Sequence, residues 1–280
     1  MERTIKKTVT GFATEDGAGV KLVRVLGNGT AEDFDPILML DSFDSRRPSD
    51  YTAGFPMHPH RGIETISYVV SGAMQHRDSL GNADTIADGE VQWMTAGSGI
   101  LHEENIPAAE RLLGVQLWLN LPAKDKMTRP SYHSIRREAI PEAAVPGGRI
   151  RVLAGSLGGI KGYSSAHLPL DYYDVRLEPN AEITLETDPA RAVMIFTLEG
   201  SVSAGGTPVA EKTAARLTAG DRLTLRTSAS PACVLVMSSF ALSEPVVWGG
   251  PIVMNTRAEL SEAFRELNSG TFLKDGVQYE

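Results

Sequence analysis

The sequence predicts an all-β chain of two antiparallel barrels followed by one short helix. Its 280 residues leave room for two domains of about 100–150 residues each. Short alternating or β-branched runs recur in both halves, separated by glycine, asparagine and proline turns without helical segments between them. The one convincing helical period stands near the end of the chain.

From about Thr8 to Leu121 the strand-like runs include Glu64–Val70 (ETISYVV), Glu90–Ala96 (EVQWMTA) and Gly114–Leu121 (GVQLWLNL), which predict a first barrel over residues 1–121. Residues 122–148 are polar, carry Pro130, Pro141 and Pro146, and end in a Pro-Gly-Gly turn, so they read as a linker. Strand-like runs resume at Arg149–Gly155, Asp171–Leu177, Ala192–Gly200, Asp221–Thr227 and Ala232–Phe240, giving a second barrel within residues 149–280. An internal repeat supports two barrels: YVVSG ending at Gly72 resembles FTLEG ending at Gly200, and DGEVQW from Asp88 resembles AGDRLTL from Ala219. The helix falls at about 256–268, where Thr256 and Glu259 form a capping box and Leu260, Ala263, Phe264 and Leu267 share one face, with Gly270 past the end. That apolar face must dock on a barrel.

Composition excludes several classes of function. Lys plus Arg (27) against Asp plus Glu (35) gives a net charge of −8, which disfavours direct nucleic-acid binding. No stretch approaches the ~18 apolar residues of a membrane span, and the opening residues do not read as a secretory signal. Cys233 is the only cysteine, so neither an intrachain disulfide nor a thiolate metal cluster can form; a cytoplasmic, reducing compartment is expected.

Three of the six histidines lie in two strand-like pieces, Met57–Glu64 (MHPHRGIE) and Gly99–Asn105 (GILHEEN). Side chains alternate along a strand, so His58 and His60 share a face, as do His102 and Glu104. Brought together inside one barrel, they would offer nitrogen and oxygen donors suited to one divalent transition metal with positions left open for substrate or dioxygen. Glu64, four residues after His60, reads as lying on the same strand face and is a rival fourth ligand, whereas Glu103 points the other way. His76, beside Asp78, reads as a surface residue; His133 and His167 read as solvated. Trp93 and Trp118 read as barrel core, Phe55 and Met57 as walls of an apolar pocket, and Arg61 as either a ligand-orienting or a surface group.

The segments Gly54–Gly72 (GFPMHPHRGIETISYVVSG), His76–Asn82 (HRDSLGN), Gly89–Glu104 (GEVQWMTAGSGILHEE) and Glu244–Thr256 (EPVVWGGPIVMNT) resemble those of the pirin family, a branch of the two-barrel cupins (bicupins). The likeness spans nearly the whole chain and departs from general cupin motifs in the residues inserted between Gly97 and His102. It implies an Fe(II) site at His58, His60, His102 and Glu104, with other divalent ions as alternatives and Glu64 outside the ligand set. It also implies a metal-bearing first barrel and a second barrel without metal. Aligning Gly200 on Gly72 places Glu186 and Asp188 where His58 and His60 stand, with no histidine at the partner position. The activity associated with the family is quercetin 2,3-dioxygenase (quercetinase), an oxidoreductase chemistry on a small aromatic flavonol-like substrate whose hydroxyl proton Glu104 would accept. The alternative role is a non-catalytic metal-dependent protein that binds a protein partner, as a transcriptional cofactor or a binder of metabolic enzymes.

Overall fold

The computed structural model describes residues 1–275, and apart from the helices Ala31–Phe34 and Arg257–Ser269 and some short turns its regular structure is β-strand. Strands fall into two compact units. One, the histidine-bearing unit, comprises Ala13–Arg24, Ile37–Arg137 and residues 243–275; the other, termed the carboxyl-terminal unit because most of it comes from the second half of the chain, comprises Met1–Phe12, Val25–Pro36 and Glu138–Leu242. Each unit pairs a seven-stranded with a four-stranded sheet.

These boundaries differ from a division at 121 and 149. Strand Ile5–Thr10 pairs with Thr213–Leu217, Thr8 opposite Ala215, so the first residues complete the sheet of the carboxyl-terminal unit. Nor are residues 122–148 simply a linker. Strand Ser131–Ile135 pairs with Glu90–Thr95, and Glu142–Val145 pairs with Gly148–Ala154. Both are edge strands, and a polar, proline-bearing sequence is what an edge strand carries to deter pairing with other chains.

The internal repeat is half correct. Ile63–Ser71 and Ala192–Glu199 each stand third in their seven-stranded sheet, and the glycines that follow them, Gly72 and Gly200, both adopt positive φ, 102° and 72°. The second match fails. Glu90–Thr95 lies in a seven-stranded sheet, whereas Arg222–Arg226 lies in a four-stranded one, where its counterpart is Ile100–Asn105. Both matched segments are strands that follow a glycine turn, a likeness too local to fix topology.

The carboxyl-terminal unit encloses an aliphatic core that includes Val152, Val175, Ile195, Leu223, Leu225 and Val236. In the other unit the helix Arg257–Ser269 packs against strand Ile252–Met254 and Phe272. Its N-cap Thr256 accepts from the Glu259 amide while Glu259 reaches back to the Thr256 amide, and Gly270 ends it in the left-handed conformation at φ 74°. Ala263, Ile252, Met254 and Phe272 form the contact, joined by Leu101, Leu260 and Leu267. Arg61 is neither at the surface nor free to meet a ligand. It is 2% exposed, pairs with Glu266 at 2.7 Å, donates to the Phe272 carbonyl at 2.8 Å and lies over the Phe272 ring. Nearby, Lys126 Nζ donates to the Gly62 and Val253 carbonyls at 2.8 and 3.1 Å and to Asn120 Oδ1 at 2.7 Å.

Candidate metal centre

Gly62 is where the chain leaves one sheet for the other. Its φ is +79°, and a Cβ there would stand 2.0 Å from the Val253 carbonyl oxygen, so only glycine makes this corner. As a result His60 ends strand Phe55–His60 in the four-stranded sheet, while Glu64 belongs to Ile63–Ser71 in the seven-stranded one. The single-strand relation expected for His60 and Glu64 does not hold. Thr95 Oγ1 donates to Glu64 Oε1 at 2.7 Å.

Strand Ile100–Asn105 lies between Phe55–His60 and Ala73–Asp78. His102 is opposite His58 on one side and Asp78 on the other, and a register shift follows between His102 and Glu104. Bulges of this kind re-aim side chains next to functional sites. One ligand atom from each of His58, His60 and His102 then falls within 4.8 Å of the others. His60 and His102 are buried, whereas His58 is half-buried, so the cluster is most open at His58.

Hydrogen bonding fixes what these rings present. His58 Nδ1 is 2.8 Å from the Pro56 carbonyl and His60 Nδ1 is 3.1 Å from the Pro251 carbonyl. Carbonyl oxygens only accept, so both Nδ1 atoms carry the proton and both Nε2 atoms present lone pairs. These Nε2 atoms face each other at 3.0 Å. Burial and the neighbouring His58 push His60 down to about 3, so His60 does not readily take up a proton, and burial likewise takes His102 well below the ordinary histidine range. The buried His102 Nε2 has no hydrogen-bond partner among the described residues. Neutral imidazole nitrogens aimed at one point fit a transition-metal ion.

Glu104 is buried on the same interior face but lies outside the three-histidine set. Gln116 Nε2 donates to its two oxygens at 3.1 and 2.9 Å, and Gln92 Nε2 also donates to Oε1. Trp118 and His60 make a T-shaped contact with centroids 5.0 Å apart, and both Trp93 and Trp118 are buried. Phe55 packs edge-on against Phe43. Glu103 pairs with Arg77 on the opposite face from Glu104. His133 is exposed and His167 half-buried.

His76 is not a surface residue. It is 3% exposed, hydrogen-bonded to Asp78 and packed against His102. Burial alone would raise the Asp78 carboxyl, yet hydrogen bonds from His76 and Asn82 hold it below its usual range. The signal lay in the sequence as a third alternating pair, His76-x-Asp78, beside His58-x-His60 and His102-x-Glu104. Gln92 and Gln116 escaped because an isolated glutamine in a strand carries no motif.

The corresponding strands of the other unit are Glu182–Glu186 and Arg222–Arg226, with Thr184 opposite Thr224 and Glu186 opposite Arg222. Their inward residues, Ile183, Leu185, Leu223 and Leu225, belong to the aliphatic core. Glu186 is exposed and Asp188 lies beyond the strand end.

Two jelly-roll-type units in tandem, one carrying inward-facing histidines, define the bicupin class. The chain belongs to the pirin family: residues 19–119 match the Pirin model and 172–273 the Pirin C-terminal cupin domain. It is 41% identical over 278 residues to a Pseudomonas aeruginosa protein provisionally named a quercetin 2,3-dioxygenase, covering 96% of this chain and 97% of that one. Human pirin is 35% identical over 264 residues, covering 91% and 90%. A crystal structure of quercetin 2,3-dioxygenase from Acinetobacter baumannii superposes with a TM-score of 0.90 at 32% identity, covering 97% and 99%. Among the described residues no helix is long and apolar enough to cross a membrane.

Proposed function

We propose that this chain is a metal-dependent dioxygenase of the quercetin 2,3-dioxygenase type, with Fe(II) held by His58, His60, His102 and Glu104 in a cytoplasmic protein. The observation that carries it is the pair of Nε2 lone pairs facing each other at 3.0 Å beside the unpartnered Nε2 of His102. The likeness to the Acinetobacter baumannii enzyme over 97% of this chain supports the substrate class.

Bound iron would supply Lewis acidity toward a flavonol hydroxyl and redox access to dioxygen. The chain supplies the rest. His58, the half-buried member, leaves the cluster most open on its side for a planar aromatic molecule, and Trp118 packs against His60. Gln92 and Gln116 hold Glu104 so that Oε2, which accepts only from Gln116, keeps capacity for the substrate's hydroxyl proton.

Oxygen uptake with product identification tests this, using iron-loaded wild type, His60→Ala and chelator-treated protein as the blank. Flavonol turnover well above the blank and lost in His60→Ala is the expected result. Turnover that equals the blank, or survives in His60→Ala, overturns the dioxygenase reading.

A further inference from the structure

Two imidazole rings and a carboxylate, His102, His76 and Asp78, form a chain leading away from the metal centre. Asp78 Oδ2 is 2.9 Å from His76 Nε2, and His76 Nδ1 is 3.5 Å from His102 Nδ1. All three residues are no more than 3% exposed. The Tyr132 ring lies flat on His76, centroids 4.1 Å apart at an interplanar angle of 12°. Asp78 is itself fixed: its Oδ1 accepts from the amides of Leu80 and Asn82 at 2.9 and 3.1 Å, and Oδ2 accepts from Asn82 Nδ2 at 2.9 Å.

Proton positions follow from these partners. The carboxylate requires a donor, so His76 Nε2 carries the proton and its Nδ1 presents a lone pair. The group facing that lone pair is His102 Nδ1, which therefore donates, and the lone pair of His102 is left on Nε2. For His58 and His60 the backbone does this through the Pro56 and Pro251 carbonyls; for His102 a side-chain pair does it.

We propose that His76, oriented by Asp78 and held flat by Tyr132, is a positioning residue of the metal centre: it accepts the Nδ1 proton of His102 and so fixes the tautomer whose Nε2 faces His58 and His60. The inference rests on the metal-site reading above and adds a side chain that touches neither ion nor substrate. Groups that orient a ligating histidine in this way typically contribute 10- to 100-fold in metal affinity.

Two measurements test it without reference to activity. In long-range proton–nitrogen correlation spectra of metal-free wild type at neutral pH, His102 should appear as the Nδ1–H tautomer and His76 as the Nε2–H tautomer; His102 protonated on Nε2 overturns the proposal. In chelator-competed Co(II) titrations, His76→Phe keeps the stack on Tyr132 but offers no acceptor. It should bind cobalt at least tenfold more weakly than wild type, with an altered visible d–d spectrum, while His76→Gln, which restores an acceptor, recovers most of both. Wild-type affinity and spectrum in His76→Phe overturn the role of His76. If that outcome comes with cobalt binding that His60→Ala abolishes, the metal site stands without it; if wild type binds no cobalt, both readings fall. Should His76→Phe not fold, the tautomers of the wild type decide.

Discussion

The Nε2 atoms of His58 and His60 stand 3.0 Å apart while their Nδ1 atoms are engaged by the Pro56 and Pro251 carbonyls. Two lone pairs so placed repel unless a cation lies between them, and in His60 burial opposes protonation as the remedy. Metal binding should therefore stabilise the fold. At ion concentrations 100 to 1,000 times Kd the gain is about 2.7–4 kcal/mol, read as a rise in Tm. In His102→Ala the protein should still fold, because both cores are built of apolar side chains independent of His102, yet its Tm should no longer respond to added ion. An unchanged response would count against the site.

The carboxylates separate the two candidate fourth ligands. Glu104 shares the interior face with His102, whereas Glu64 sits across the Gly62 corner in the other sheet and accepts from Thr95. Glu104→Gln should weaken metal binding by tenfold or more, and Glu64→Gln should leave it near wild type. The reverse pattern in equilibrium dialysis would exchange their roles.

Lys126 gives a pH dependence that does not involve the metal. Burial pulls its ammonium from 10.5 down to about 8, so between those values the unfolded chain binds a proton that the folded one has released. Stability contributed by this group is thus fully present above about pH 10.5 and is lost as pH falls through about 8. Lys126→Met leaves the Gly62 and Val253 carbonyls without this donor and should cost about 1–3 kcal/mol at neutral pH. The stability difference between wild type and variant should widen as pH rises from 8 towards 10.5. A constant difference across urea titrations in that range would contradict the linkage.

Arg61 holds the carboxyl-terminal helix to the metal-bearing unit through Glu266 and the Phe272 carbonyl. Arg61→Leu leaves Glu266 with Lys274 as its cation and should cost about 3 kcal/mol. Amide exchange should accelerate first in Arg257–Ser269. Uniform protection across the chain would show that the pair contributes little there.

Much of this architecture was legible. Period-two runs locate Ile63–Ser71, Leu112–Asn120 and Ala232–Ser239 to within a few residues, and the capping box with Gly270 locates the helix. Alternation puts His58 with His60, and His102 with Glu104, on shared strand faces; that the two pieces meet follows from the pairing of Phe55–His60 with Ile100–Asn105. Which sheet a strand joins was not legible. Ile5–Thr10 completes the carboxyl-terminal unit and Arg257–Ser269 the other, and no local pattern encodes pairing across more than 200 residues of chain. His76 was misread because a histidine beside an aspartate has the composition of a solvated turn; its burial follows from Ala73–Asp78 lying against Ile100–Asn105. Glu64 was misread because the turn at Gly62 interrupts what the sequence presents as one continuous run.

His58, His60 and His102 converge in one unit, whereas the matching strands of the other turn aliphatic side chains inward. Anaerobic ferrous titration followed by metal analysis of the desalted protein decides whether the chain holds one ion at those histidines. The expected result is one ion per chain in wild type and essentially none in His60→Ala. Two ions per chain, or one ion per chain in His60→Ala, would contradict a single site at those histidines.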